Sequence, residues 1–140
     1  MSSLNSSNYY KISMSEQTVI LLAEPEAAIR ESVEMILTEE GYTCRTVPDT
    51  ESLLSSLYIH PSDLIIADVQ LFSEEIQNIT LILDRHKNRP PMLITLGYDQ
   101  LHHVDTLKKF DITDYILKPF HFEEMLERIK QLLLKTKERD

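Results

Sequence analysis

Glycine is nearly missing from this chain. Its 140 residues include only Gly41 and Gly97. A loop that cradles phosphate needs backbone able to approach closely and take positive φ, so nucleotide binding of the Rossmann or P-loop kind is not expected. That shortage also removes a flavodoxin-type cofactor binder. Cysteine is rarer still. Cys44 stands alone in a strand-like stretch, so no internal disulfide can form, and a buried thiol in a reducing cytoplasm is the expected state. No apolar run approaches the roughly 18 residues of a membrane span, and the opening MSSLNSSNYYKIS lacks the apolar centre of a signal peptide. Bases are also short: 14 Lys and Arg stand against 23 Asp and Glu, a net charge of −9. Broad binding to nucleic acid depends on basic surface meeting phosphate and is not expected; basic protein partners and a local Mg²⁺ site remain open. The five histidines show no ligand spacing, and the adjacent His102 and His103 diverge on a helix rather than grip one ion.

What the chain does have is enough apolar residue, 42 %, for one folded domain with its own core. Residues 1–15 are rich in Ser and Asn without periodicity and read as a mobile tail, with Met14 an alternative start; residues 16–140 form the domain. From Thr18 two patterns alternate. TVILLA is a short apolar run, and Ala28, Ile29, Val33, Ile36 and Leu37 then recur at helical steps up to Gly41. YTCRTV follows as a strand. Asp49 caps a helix carrying Leu53, Leu54 and Leu57, which stops before Pro61. DLIIADV, a helix over 74–87, MLITL, a helix over 99–110, DYIL and a long amphipathic helix from Phe122 complete the series. In the helix over 99–110, Leu101, Val104 and Leu107 are expected in the core. Strands alternating with helices imply parallel pairing. The runs VILLA, LIIA and MLITL are apolar throughout, as in strands covered on both faces. The fold class is therefore α/β, a doubly wound sheet built from five βα units, whose sites form beyond the carboxyl ends of its strands.

Three segments meet at that edge. Ala23–Glu26 leaves the first strand, Asp68 ends the third, and Lys118, before Pro119, ends the fifth. An exposed aspartate can attack a phosphoryl group and hold it as an acyl phosphate. Mg²⁺ prefers a few carboxylates with waters and phosphate oxygens. A lysine neutralises a phosphoryl oxygen as a point charge. Phosphoryl transfer needs little more than such positioning and charge.

ILLAEPEAAIR, DLIIADVQL and ITDYILKPF, with their spacings and the five βα units, make residues 18–136 resemble the response-regulator receiver domain of two-component signalling. The resemblance implies a flavodoxin-like sheet of strand order 2-1-3-4-5 and a signalling role rather than enzymatic activity. Asp68 matches the phosphoacceptor and Lys118 the phosphoryl-contacting lysine. Tyr115 matches the aromatic switch residue, and Gly97 the small residue that leaves room for the phosphoryl group. Gln70 would offer its backbone carbonyl to Mg²⁺ beside Asp68, with Glu24 acting through water and Glu26 near the acidic pocket. Three departures stand out. The family's second acid, its direct metal ligand, is Pro25 here, which leaves Mg²⁺ open between kept and lost. Ungapped counting from Lys118 puts Leu96 at the switch Thr/Ser position, with Thr95 next to it. The loop after Asp68 lacks the family's proline and glycine and should differ in shape.

EPE also has a plain structural account. Proline suits the first helical turn and glutamates there suit the helix dipole. Lys108, Lys109 and Lys130 read as solvated. With the sequence closing after the fifth helix, a stand-alone cytoplasmic receiver is expected. It would be phosphorylated on Asp68 by a histidine kinase or phosphotransfer protein and act through a downstream protein, without direct contact to nucleic acid or membrane. The resemblance leaves room for a homodimer through the last helix–strand–helix face. The alternative is a pseudo-receiver that neither binds Mg²⁺ nor is phosphorylated and works purely by interaction.

Overall fold

The computed structural model describes residues 18–85 and 89–139. The tail expected over residues 1–15, Met14 with it, lies outside the described residues. Strands β1 (Val19–Ala23), β2 (Thr43–Val47), β3 (Leu64–Asp68), β4 (Met92–Leu96) and β5 (Tyr115–Leu117) form one parallel sheet in the order β2-β1-β3-β4-β5. The flavodoxin-like topology is thus as the sequence suggested. β1, β3 and β4 lie inside the sheet and are almost wholly buried, whereas the mixed sequences of β2 and β5 take the two edges.

Helices α1 (Ala27–Glu39) and α6 (Phe122–Arg139) cover one face. There Val33 and Leu37 of α1, and Met125, Ile129 and Leu132 of α6, pack on Ile20, Leu22, Ile66 and Leu93. Helices α2 (Thr50–Ile59), α3 (Val69–Ser73), α4 (Ile76–Leu83) and α5 (Val104–Lys109) cover the other. Leu53, Phe72, Ile79 and Leu107 meet Leu21, Ile65, Ile94 and Leu96 there. Strand side chains alternate between these two cores. Each fully buried Leu or Ile contributes about 1.5–3 kcal/mol.

Local chemistry sets the ends of several elements. The Asp49 side chain accepts from Ser52 N–H at 2.8 Å and starts α2. α1 ends at Gly41, whose φ of 95° suits glycine. The Gly41 N–H bonds the Thr38 carbonyl and the Tyr42 N–H that of Leu37, satisfying carbonyls the helix leaves unpaired.

Three expectations are revised. The helix expected over 74–87 is shorter, Ile76–Leu83, and its expected end at 86–87 lies outside the described residues; α3 precedes it directly after Asp68. The helix expected over 99–110 divides into a 3₁₀ segment, Tyr98–His103, and α5. Tighter winding at about three residues per turn breaks the 3.6-residue stripe, so Leu101 is 40 % exposed while Leu107 is buried. Leu101 therefore does not join the core. Lastly, Pro25 does not enter the first turn of α1. Glu26 is the residue that flanks the helix, Pro25 precedes it, and the first turn holds no acidic residue. The account of EPE as a dipole-matched helix start fails for that reason.

Candidate functional site

The register brings the carboxyl ends of the strands level. Ala23 pairs with Ala67, so Glu24 and Asp68 are the next residues outward on neighbouring strands. Asp68 pairs with Thr95, and Leu96 with Leu117. Lys118 then leaves β5, donating its N–H to the Leu96 carbonyl at 2.8 Å and joining Pro119 by a cis peptide bond. β4 lies between β5 and β3, so the long lysine side chain crosses the end of β4 to reach the acids. Its Nζ lies 2.6 Å from Glu24 Oε1 and 2.7 Å from Asp68 Oδ2.

The outer oxygens of both carboxylates are also engaged. Glu24 Oε2 accepts from Glu26 N–H at 3.0 Å, and Asp68 Oδ1 accepts from Gln70 N–H at 2.8 Å. Glu24 is 3 % exposed and Asp68 5 %. Buried carboxylates are stable only when paired and hydrogen-bonded, and here every carboxylate oxygen has a donor. Burial alone would lower the Lys118 pKa. The hydrogen bonds and charges of Asp68 and Glu24 outweigh it and hold the ammonium above the usual 10.5.

Arg30, which sequence reasoning passed over, supports this corner from one turn into α1. Its Nη1 donates to the Glu24 carbonyl at 2.8 Å and more weakly to that of Pro25 at 3.4 Å. The only sequence signal was a base six residues after Glu24. Glu26 is exposed, and it meets the site through its backbone N–H on Glu24. Gln70 lies in the first turn of α3, and the atom it presents to Asp68 is its N–H. The loop expected to differ after Asp68 is this short helix.

Thr95 is buried level with Asp68, on the sheet face opposite to Leu96. Leu96 belongs to the core under α2–α5. Parallel partners in register present side chains to the same face, so Thr95, not Leu96, stands beside Asp68. Tyr115, at the start of β5, is half-buried against that same core, and its carbonyl accepts from Arg128 at 3.0 Å. At Gly97 an added Cβ would lie 2.8 Å from Asp99 Oδ1, so the small residue lets Asp99 fold back over the end of β4.

The residues present fit a divalent cation poorly. Among the described residues no cluster of three or more acids, histidines or cysteines is arranged to hold one. Pro25 supplies no side-chain oxygen, and the inner oxygens of Glu24 and Asp68 converge on one ammonium. The arrangement can instead hold negative charge against a fixed cation.

A buried aspartate at the end of β3, bridged by a lysine from the end of β5, joins the matching topology to a sequence match. Residues 20–130 match the family described as the response regulator receiver domain. The chain belongs to that family. Response regulator ArlR of Staphylococcus aureus is 33 % identical over 123 residues, covering 88 % of this chain and 56 % of ArlR. The receiver thus spans about half the length of the curated relatives it matches. A CheY-like receiver domain protein from Methanospirillum hungatei matches with a TM-score of 0.76 at 25 % identity, covering 89 % of this receiver and all of that chain. A streptococcal protein, described as one of a family of redox sensors evolved from two-component response regulators, matches at 0.75 with 25 % identity. That match covers 86 % of this receiver and 52 % of the streptococcal chain. Receiver domains are signalling modules of two-component systems, and among the described residues no helix is long and apolar enough to cross a membrane.

Proposed function

We propose that this receiver takes a phosphoryl group on Asp68 from the phosphohistidine of a histidine kinase or phosphotransfer protein. One Asp68 oxygen attacks phosphorus and the P–N bond breaks. The bonding pair leaves with the imidazole, and an acyl phosphate forms on Asp68. The observation that carries this reading is Lys118 Nζ, 2.7 Å from Asp68, where it can pair with a phosphoryl oxygen as the charge moves outward. Thr95 and Tyr115 are the residues that register the change, Thr95 beside Asp68 and Tyr115 on β5. The output passes through protein contact in the cytoplasm. Tyr98, Leu101 and Phe122, large apolar residues exposed near this rim, support a downstream protein or a second copy docking there on the last helix–strand–helix face.

The test is intact mass after incubation with a small phosphodonor, with and without Mg²⁺, beside Asp68→Asn. The expected result is one phosphoryl adduct that Asp68→Asn lacks. No adduct on folded protein favours the second reading, a pseudo-receiver acting only by interaction. Pro25 and the fully engaged, buried Asp68 carboxylate speak for that reading. The streptococcal relative is a precedent for a response regulator turned to another task. A thiol sensor is a poor analogy here, because burial pushes the Cys44 thiol up to about 12 and keeps it protonated.

A further inference from the structure

We infer that Lys118 is the standing counter-cation of the Glu24–Asp68 pair and occupies the place a divalent ion would take, so the site as it stands takes up no Mg²⁺. Mg²⁺ demands near-ideal octahedral geometry, gives up water reluctantly and usually enters through one or two free carboxylates. Neither carboxylate is free. One oxygen of each lies within 2.7 Å of Nζ, and the other accepts a backbone N–H at 3.0 Å or less. The next residue outward from Glu24 is Pro25, which adds no oxygen, and the Glu26 carboxylate lies on the exposed side. Two carboxylates and one ammonium leave a single net negative charge on a buried rim. A dication entering beside Lys118 would face that ammonium across a low-dielectric site, where like charges repel strongly. The pair therefore selects between the lysine and the metal, and the sequence has fixed the lysine.

The inference rests on the receiver site described above but not on phosphorylation of Asp68, and its experiment reads metal binding through stability alone. Thermal melts of the whole chain are compared in millimolar MgCl₂, in NaCl of equal ionic strength and in EDTA. Wild-type Tm should differ by less than about 1 °C between MgCl₂ and NaCl. Lys118→Met empties the place between the acids. It should melt lower in EDTA and regain at least about 5 °C in MgCl₂. Pro25→Asp, an exposed change that keeps Lys118, is the second variant and covers the case in which Lys118→Met does not fold. With Lys118 still between the acids it should gain no Mg²⁺-dependent rise; a rise would show that the missing oxygen at position 25, and not the lysine, keeps the metal out, and would overturn the inference. A Mg²⁺-specific, EDTA-reversible rise in wild-type Tm overturns the inference. A folded Lys118→Met that ignores Mg²⁺ overturns it too, since the emptied pair would then not be a cation site. The phosphodonor experiment stays separate: an adduct formed in EDTA is compatible with this inference and supports Asp68 as acceptor, while absence of any adduct removes only the phosphoacceptor reading.

Discussion

The two ends of the rim have had different fates. At the β5 end, Lys118 leaves the strand just before Pro119 and reaches across β4 to both acids. At the β1 end, of the three residues that follow the strand, Glu24 is engaged by its side chain, Pro25 is exposed, and Glu26 contributes backbone. Glu24 and Glu26 are two residues apart and chemically alike, yet one is buried in an ion pair and the other is in water. The difference teaches that the number of carboxylates near a site says little about its charge. What counts is which of them the turn directs inward, and here the turn is closed by the Glu24 carboxylate accepting from Glu26 N–H, with Arg30 on the carbonyl side.

That contrast can be broken at either end. The largest effect is expected from Lys118→Met. Removing one partner of a buried ion pair strands the others, so stability should fall by about 3 kcal/mol and Tm by roughly 10 °C in metal-free buffer. A urea melt showing no greater loss than a change at Pro25 would mean the two ends do not differ. Asp68→Asn is milder, because Lys118 keeps Glu24 and the amide keeps the shape. A loss of about 1 kcal/mol is expected by chemical denaturation, together with loss of any phosphoryl adduct.

A third measurement sharpens the comparison through pH. The Lys118 pKa is raised above 10.5 in the folded chain, so its contribution is complete below 10.5 and is lost as pH rises through the folded value. Wild type should lose stability above pH 10.5 more steeply than Lys118→Met. Tyrosine ionisation, common to both, cancels in the difference. Equal slopes in alkaline melts would show that the ammonium is not held by the acids. The smallest effect belongs to the β1 end. Pro25→Ala replaces an exposed residue outside α1 and should change stability by no more than about 0.5 kcal/mol.

Much of this was legible in one sequence because burial on both sides of a sheet leaves unbroken apolar runs, which fix the central strands VILLA, LIIA and MLITL. Asp49 before its helix and Gly41 after the previous one were readable as local hydrogen-bonding devices. Legibility failed where a choice depended on neighbours distant in the chain. Counting along the chain from Lys118 could not tell which of Thr95 and Leu96 faces Asp68; pairing with β3 sets Thr95 beside it, since a shift of one residue exchanges the two faces of a strand. Leu101 has the spacing of a core residue but loses that place when its turn winds as a 3₁₀ helix. Pro25 and its glutamates matched the composition of a helix start, yet the helix begins after them.

Alternation, apolar runs and caps are properties of adjacent residues, so the sequence by itself determined the five βα units, the parallel sheet and the candidates Asp68 and Lys118. Only the tertiary structure decided that Glu24, Asp68 and Lys118 form one closed network, because it joins groups 50 and 94 residues apart in the chain. Which oxygen meets which donor across such separations is set by strand register and by the reach of one lysine over β4. No local pattern records either.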